Sequence, residues 1–176
     1  AKENPKPISL AMPMTEEHEY LRISLLPELL KSLSYNYARN QYDLAYYELG
    51  DIFITAEEEL TKQPEEKARL AGALTGKWVD HPWQEEVKNV DFYVVKGIVE
   101  SLFNFLNLNV TYEQAKLEGM HPGRCATVTL DGNTIGFLGQ VHPMLAKQLD
   151  LKETYVFDLN IEEIALAYEN VPSYTE

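Results

Sequence analysis

The chain has little of several residue types on which whole classes of protein depend. One cysteine, Cys125, excludes an intrachain disulfide and is typical of a reducing compartment, so we expect a cytoplasmic protein. Positive charge is scarce, because 15 lysines and arginines stand against 28 aspartates and glutamates, for a formal net charge of −13. Phosphate contacts depend on Lys and Arg, so nucleic acid is not expected as a direct partner. No apolar run approaches the ~20 residues of a membrane-spanning helix, so no membrane partner is expected.

Motifs for nucleotide binding are also missing. No two of the nine glycines stand two residues apart, which excludes both Gly-x-Gly-x-x-Gly and Gly-x-Gly-x-x-Arg. No phosphate loop with Gly-Lys-Ser or Gly-Lys-Thr occurs. Ala1 in place of a starting methionine, and the abrupt ending at Glu176, indicate a segment of a longer protein whose partner domains lie outside it.

The hydrophobic content, 45% of 176 residues, is sufficient for the core of one domain, which we expect to span residues 1–176. Apolar residues at helical spacing over 26–37, with Ser24 as the cap, predict a first helix. A similar stripe over 92–106, preceded by Asp91, predicts a second helix. Two shorter helices are predicted over 143–149 and 161–168.

Strand patterns lie between the predicted helices. Aromatic and branched residues over 44–54 predict a strand. Asp131-Gly132, which readily takes positive φ, predicts a hairpin between 126–130 and 134–138. Strands joined by hairpins, with helices between some of them, predict an α+β domain whose largely antiparallel sheet is flanked by helices and carries both features. Further strands are predicted over 70–76 and 155–159.

Two stretches are predicted to be connections. The charged residues of 57–69, with Pro64 among them, predict a solvated loop, and we place a seam within the domain at 56–69. The stretch that follows the strand at 70–76 is predicted to be a polar connection through Trp78 and His81.

Residues 48–56 read ELGDIFITA, which resembles the active-site strand of class II aminoacyl-tRNA synthetases. In that family the pattern is apolar-Gly-x-apolar-Phe-Arg-x-Glu, where the Arg binds the aminoacyl adenylate and the Glu helps to position ATP. Gly50 and Phe53 match the frame, whereas Ile54 and Ala56 stand at the Arg and Glu positions. Apolar side chains cannot supply the fixed charge that phosphoryl chemistry requires, so we expect no catalytic residue in this chain.

Six segments agree in order and spacing with one family. The chain resembles the class II-like core of the bacterial phenylalanyl-tRNA synthetase beta chain over roughly residues 8–165. The matching segments are 14–27, 48–56, 70–76, 91–97, 120–124 and 136–143.

The resemblance implies a non-catalytic core that packs against a catalytic alpha subunit. The family's enzyme is an α2β2 assembly that attaches phenylalanine to its tRNA with ATP and magnesium. It implies that tRNA binds other parts of the full enzyme, and that this fragment holds no cofactor and no metal. Two alternatives from the residues remain open: a stand-alone protein-interaction module, or a small hydrolase that uses His121, Cys125 or Arg124.

Glu48 and Arg22 are candidate structural or interface residues. Glu48 lies in an apolar strand, where an unpaired buried carboxylate would be costly. We therefore predict that Glu48 forms an ion pair with Arg22 or Lys96.

His121, Gly123 and Arg124 are further structural or interface candidates in one turn-like segment. A histidine before proline suits a turn, and Gly123 after that proline predicts a positive φ. Arg124, one of four arginines, is predicted to bind a carboxylate bidentately, within the domain or across to the alpha subunit. The spacing of His121, Cys125, His142 and His81 matches no zinc pattern, so no metal site is expected.

Tyrosines concentrate around the first helix and strand. Aromatic residues with polar tips are typical both of partly buried core positions and of protein interfaces. The sequence supports both interpretations of Tyr35, Tyr37, Tyr42, Tyr46 and Tyr47.

Overall fold

The computed structural model describes residues 25–54, 65–81 and 86–169. Helices and strands are mixed along the chain, as predicted for an α+β domain. Of the helices in these ranges, none is long and apolar enough to cross a lipid bilayer. The elements are α1 (Leu26–Tyr37), β1 (Leu44–Ile54), β2 (Glu65–Thr75), β3 (Lys77–His81), β4 (Glu86–Asn89), α2 (Phe92–Phe105), β5 (Val110–Gln114), β6 (Met120–Leu130), β7 (Asn133–Val141), α3 (Pro143–Gln148), β8 (Thr154–Asn160) and α4 (Ile161–Glu169).

One six-stranded sheet organises the fold, with the strand order β1-β2-β8-β7-β6-β5. Every neighbouring pair in it is antiparallel. The strand predicted over 44–54 is β1, and both arms of the predicted hairpin, β6 and β7, lie in the same sheet. The predicted fold class is therefore confirmed.

Helices cover both faces of this sheet. The leucines of α1 and the apolar residues of α3 form one core cluster, and α2 and α4 contribute to the cluster on the other face. Along β8, Val156 belongs to the first cluster, whereas Tyr155 and Phe157 belong to the second. This alternation follows from the two-residue period of a strand, and it explains why residues Thr154 to Leu159 are all buried.

Local side-chain contacts fix the ends of several helices. The Asp91 carboxylate accepts a hydrogen bond of 2.8 Å from the Val94 N–H, which confirms the predicted cap of α2. The Asn160 side chain accepts bonds from the Glu162 and Glu163 N–H groups at the start of α4. At α1 the cap position is Leu25, which makes no side-chain cap bond, and Ser24 lies outside the described residues.

The turn between β6 and β7 has the chemistry that the sequence predicts. Asp131 and Gly132 have φ values of 53° and 82°, and β6 pairs with β7 on either side of them. Two successive positive φ values match the twist of the flanking strands, so the turn closes the hairpin without splaying it.

Both predicted connections contain strands. β2 begins at Glu65, so the loop predicted through position 69 is wrong for 65–69, while residues 55–64 lie outside the described part and the seam stays a prediction. β2 is central, paired with β1 and β8, and this pairing outweighs its charged composition. The polar connection after Gly76 is likewise wrong, because β3 and β4 pair there and Trp78 packs against the α2 cluster.

Candidate functional site

A cleft of about 680 Å³ opens between the first turn of α2, the strands β5 and β6 and the start of β8. We call it the α2 cleft. Its position follows from the sheet order. β5 is an edge strand of the six-stranded sheet, and α2 packs against the face of the sheet that carries the second core cluster. Its principal side chains are Phe92, Tyr93, Lys96, Tyr112, Arg124 and Tyr155.

Arg124 forms a polar cluster at one end of the α2 cleft. Its Nη1 donates to Glu153 Oε2 at 2.9 Å and to Gln140 Oε1 at 3.0 Å. The Tyr155 hydroxyl donates to the same Glu153 oxygen at 2.8 Å. Burial is the main cause that raises the pKa of Tyr155 to about 12, and the Glu153 carboxylate is the next. The phenol therefore remains a hydrogen-bond donor at neutral pH. Arg124 thus has a carboxylate partner within the domain, contacted through one nitrogen instead of the predicted two.

Lys96 and Tyr112 also line the α2 cleft. The Lys96 ammonium lies 4.7 Å from the centre of the Tyr112 ring, which is within cation–π distance. The Tyr112 hydroxyl is buried and has no hydrogen-bond partner within the described part of the chain. Burial, and then the Glu100 carboxylate, raises the pKa of Tyr112 to about 12. Lys96 makes no ion pair or hydrogen bond among the described residues.

The predicted ion pair of Glu48 with Lys96 is wrong. Glu48 lies on the edge strand β1 opposite Ala71 and is exposed, so its carboxylate is hydrated and needs no partner. Lys96 is on α2 and contacts Tyr112 instead. The other predicted partner, Arg22, lies outside the described residues, so that part stays a prediction.

A buried carboxylate occurs instead at Asp158, in the central strand β8. Asp158 is fully buried, and its Oδ1 accepts a hydrogen bond from Arg69 Nε at 2.9 Å and lies at the ion-pair distance of 2.9 Å from Arg69 Nη2. The two residues are 89 positions apart and meet because β2 pairs with β8. The one available signal was an aspartate inside an otherwise apolar strand.

Gly123 does not have the positive φ predicted for it. Among the described glycines, positive φ occurs at four others: Gly76, Gly119, Gly132 and Gly139. Gly123 lies in β6, and a Cβ there would meet only the His121 ring, at 3.4 Å. The residue after a proline suggested a turn, but Gly123 lies within β6, in the irregular stretch between the paired residues Met120 and Cys125.

Two of the glycines that the fold constrains are in β7. A Cβ on Gly136 would overlap the carbonyl oxygen of Asp158, and a Cβ on Gly139 would overlap that of Arg124. Gly139 also has a φ of 155°. Close backbone approach at these two positions depends on strand pairing, which no local pattern predicts.

His121, Cys125 and Arg124 do not assemble a hydrolase site. The His121 Nδ1 accepts a bond of 2.9 Å from the Gly123 N–H, as a turn-like histidine does. Cys125 is 1% exposed, and burial raises the pKa of its thiol to about 11, so the nucleophilic thiolate is not formed at neutral pH. Arg124 is occupied by Glu153 and Gln140.

Metal binding has no ready site in the described part of the chain. No group of three or more His, Cys, Asp or Glu side chains there could hold a metal ion. His142, which the sequence analysis grouped with Cys125, caps α3 by accepting a bond from the Met144 N–H. The side chain of His81 lies outside the described residues.

The tyrosine cluster divides between core and surface. Tyr37 and Tyr46 pack against the core cluster of α1. Tyr35, Tyr42 and Tyr47 are each about half exposed or more, at 59%, 49% and 48%. Tyr37 and Tyr46 thus take core positions, whereas an interface role for the three exposed tyrosines stays a prediction.

Comparisons with known proteins agree with one another. The chain matches the phenylalanyl tRNA synthetase beta chain CLM domain over residues 1–161. It is 58% identical over 174 residues to the phenylalanine–tRNA ligase beta subunit of Oceanobacillus iheyensis, covering 99% of this chain and 22% of that protein. The beta subunit of Halalkalibacterium halodurans is 52% identical over 176 residues, with 96% and 22% covered, and that of Bacillus subtilis is 49% identical over 173 residues, with 94% and 21% covered.

The matches cover nearly all of this chain but only a small part of each relative. The chain spans about a fifth of the length of the curated relatives it matches. Almost the whole of the chain is matched, by the family and by relatives that are about half identical or more. The chain therefore belongs to the family of the phenylalanyl tRNA synthetase beta chain CLM domain.

Proposed function

We propose that this chain is the catalytically silent, class II-like core of a phenylalanine–tRNA ligase beta subunit and that it packs against the catalytic alpha subunit. In this role it supports the ATP-dependent attachment of phenylalanine to its tRNA. The observation that carries the proposal is the family match over residues 1–161, in a chain whose β1 ends in Ile54 where a class II active-site strand has arginine.

The chemistry of β1 supports a role without catalysis. Adenylate formation concentrates negative charge at the α-phosphate, and preorganised positive charge normally stabilises it. Ile54 and Ala56 occupy the two positions that would supply the Arg and Glu, and no Gly-x-Gly-x-x-Arg motif occurs. ATP and magnesium are then bound by other parts of the holoenzyme, and this segment binds no cofactor.

The surface supports assembly with another protein. Large apolar side chains are exposed on β1 and α2, among them Leu49 at 68%, Tyr93 at 73% and Phe105 at 86%. Exposed aromatic residues are enriched in protein interfaces. The net charge of −13 disfavours direct tRNA binding, so tRNA is bound elsewhere in an α2β2 enzyme that works in the cytoplasm.

Replacement of the matching segment in a relative tests this function. The Oceanobacillus iheyensis beta subunit carries a segment 58% identical to this chain, which can be exchanged for it, and the chimera can be coexpressed with the alpha subunit from that organism. We expect the chimera to copurify with the alpha subunit and to charge tRNA with phenylalanine. A beta subunit that lacks the segment is the control, and we expect it to do neither. A folded chimera that does not copurify with the alpha subunit would contradict the proposal.

A further inference from the structure

Two cationic side chains that line the α2 cleft have donors to spare. Lys96 contacts the Tyr112 ring and makes no hydrogen bond or ion pair among the described residues. Arg124 uses Nη1 for both of its bonds, so Nε and Nη2 make none with the described residues, and its side chain is 50% exposed. A guanidinium edge and an ammonium therefore remain available to an acceptor in the cleft.

The acidic residues of the α2 cleft already have partners within the domain. Asp91 caps α2 by accepting from the Val94 N–H. Glu153 accepts from both Arg124 and Tyr155 through one oxygen. The charge of Glu153 is thereby offset by Arg124, and the partial positive charge of the α2 N-terminus offsets that of Asp91. The Glu100 carboxylate also acts on Tyr112, but Lys96 forms no ion pair with it among the described residues, so the Lys96 ammonium remains available to an anion in the cleft.

Aromatic rings give the α2 cleft an apolar wall. Phe92 and Tyr93 stand edge to face, with ring centres 5.7 Å apart, and Tyr93 is 73% exposed. Tyr112 supplies a further ring beneath Lys96. The volume of about 680 Å³ lies within the ~300–1,000 Å³ typical of small-ligand sites.

The amount of positive charge limits the class of anion. One unpaired ammonium and one half-used guanidinium match a single carboxylate, whereas a polyphosphate needs several charges or a metal ion. The net charge of −13 further disfavours multivalent anions.

We propose that the α2 cleft binds a monocarboxylate carried on an aromatic or flat apolar group. Lys96 and the free edge of Arg124 bind the carboxylate, and the rings of Phe92, Tyr93 and Tyr112 pack against the apolar group. The carboxylate belongs either to a free organic acid or to the C-terminus of a polypeptide that ends in an aromatic residue. This inference concerns the cleft alone and does not depend on assembly with an alpha subunit.

Titration of the ¹⁵N-labelled chain, followed by its amide resonances, tests the proposal. The probes are 3-phenylpropionate and, as a matched molecule without the carboxylate, 3-phenylpropanol. We expect saturable shifts at α2, β5 and β6 with the acid and at least about tenfold weaker binding of the alcohol. A tripeptide that ends in tyrosine, with a free or an amidated C-terminus, distinguishes the two sources: tighter binding of the free-terminus peptide than of 3-phenylpropionate indicates a polypeptide, and the reverse order indicates a free acid.

Variants assign the contacts. We expect Lys96→Met to weaken binding of 3-phenylpropionate at least about tenfold, and Lys147→Met, on the opposite face of the sheet, to leave it unchanged. Chemical shift dispersion reports whether each variant is folded. Equal binding of acid and alcohol, shifts spread over the whole chain, no saturation, or a folded Lys96→Met chain with unchanged affinity would each overturn the proposal.

Discussion

Two arginine–carboxylate pairs in this domain have the same nitrogen–oxygen distance and different surroundings. Arg69 and Asp158 approach to 2.9 Å with side chains 14% and 0% exposed, whereas Arg124 and Glu153 approach to 2.9 Å at 50% and 48%. The first pair joins two central strands, and the second borders the α2 cleft. Burial, not distance, decides that the first pair is structural and that the second retains donors for a ligand.

The largest effect is expected from Arg69→Met. Removal of the guanidinium breaks the buried contact between Arg69 and the Asp158 carboxylate, and breaking such a pair costs about 3–5 kcal/mol in comparable sites. Urea denaturation of both proteins measures the difference in the free energy of unfolding. Arg69→Lys is the control, because it keeps the charge, and we expect a smaller loss from it. A loss below about 1 kcal/mol for Arg69→Met would place the pair with surface ion pairs.

An intermediate effect is expected from Gly136→Ala. A methyl group there meets the Asp158 carbonyl, so β7 and β8 must separate next to the buried pair. Overpacking of this kind costs about 1–3 kcal/mol. Gly123→Ala, in β6 beside Arg124, is the matched substitution, and we expect a change within about 0.5 kcal/mol. Thermal unfolding measures both, and equal losses would contradict the assignment of the constraint to β7.

Alkaline titration is expected to reveal the cluster that contains the second pair. The pKa of Tyr155 is raised to about 12 in the folded chain, above its ordinary value of 10. The raised pKa contributes stability that is fully present below pH 10 and is lost as the pH rises from 10 through about 12. Denaturation at a series of pH values should show this fall, with a shallower slope for Tyr155→Phe. An unchanged slope in that variant would show that Tyr155 is not responsible.

The smallest effect on stability is expected from Arg124→Met. A half-exposed ion pair contributes about 0–1 kcal/mol and is screened by salt. Urea denaturation at low and high ionic strength should therefore give nearly equal values for the variant and the parent chain at high salt. A loss as large as that of Arg69→Met would contradict the division between a structural pair and a cleft residue.

The sequence predicted features that depend on neighbouring residues. The Asp131-Gly132 turn and the Asp91 cap are specified within a few positions, and both are confirmed. The apolar stripes of α1 and α2 likewise locate the helices and their buried faces.

Features that depend on distant strand pairing were not predictable in the same way. Arg69 binds Asp158, which is 89 positions away in the sequence. Gly136 is constrained by the backbone of the paired strand β8 at Asp158. The α2 cleft combines α2 with β5, β6 and the start of β8, so Lys96 and Tyr112 had no local signal. The burial predicted for Glu48 was wrong for the same reason. The sequence does not show that its strand, β1, lies at the edge of the sheet, where side chains are more exposed than on a central strand.

The proposal that this chain performs no adenylate chemistry is tested most directly by calorimetry with ATP and magnesium, alongside phenylalanine-dependent pyrophosphate exchange. Loss of one well-placed charge contact commonly costs about 3 kcal/mol, or roughly a hundredfold in rate, and here Ile54 and Ala56 replace two such groups. We expect no saturable ATP binding in the micromolar range and no exchange above background for the chain alone. Micromolar ATP binding, or exchange in the absence of an alpha subunit, would contradict the conclusion that this core is a scaffold.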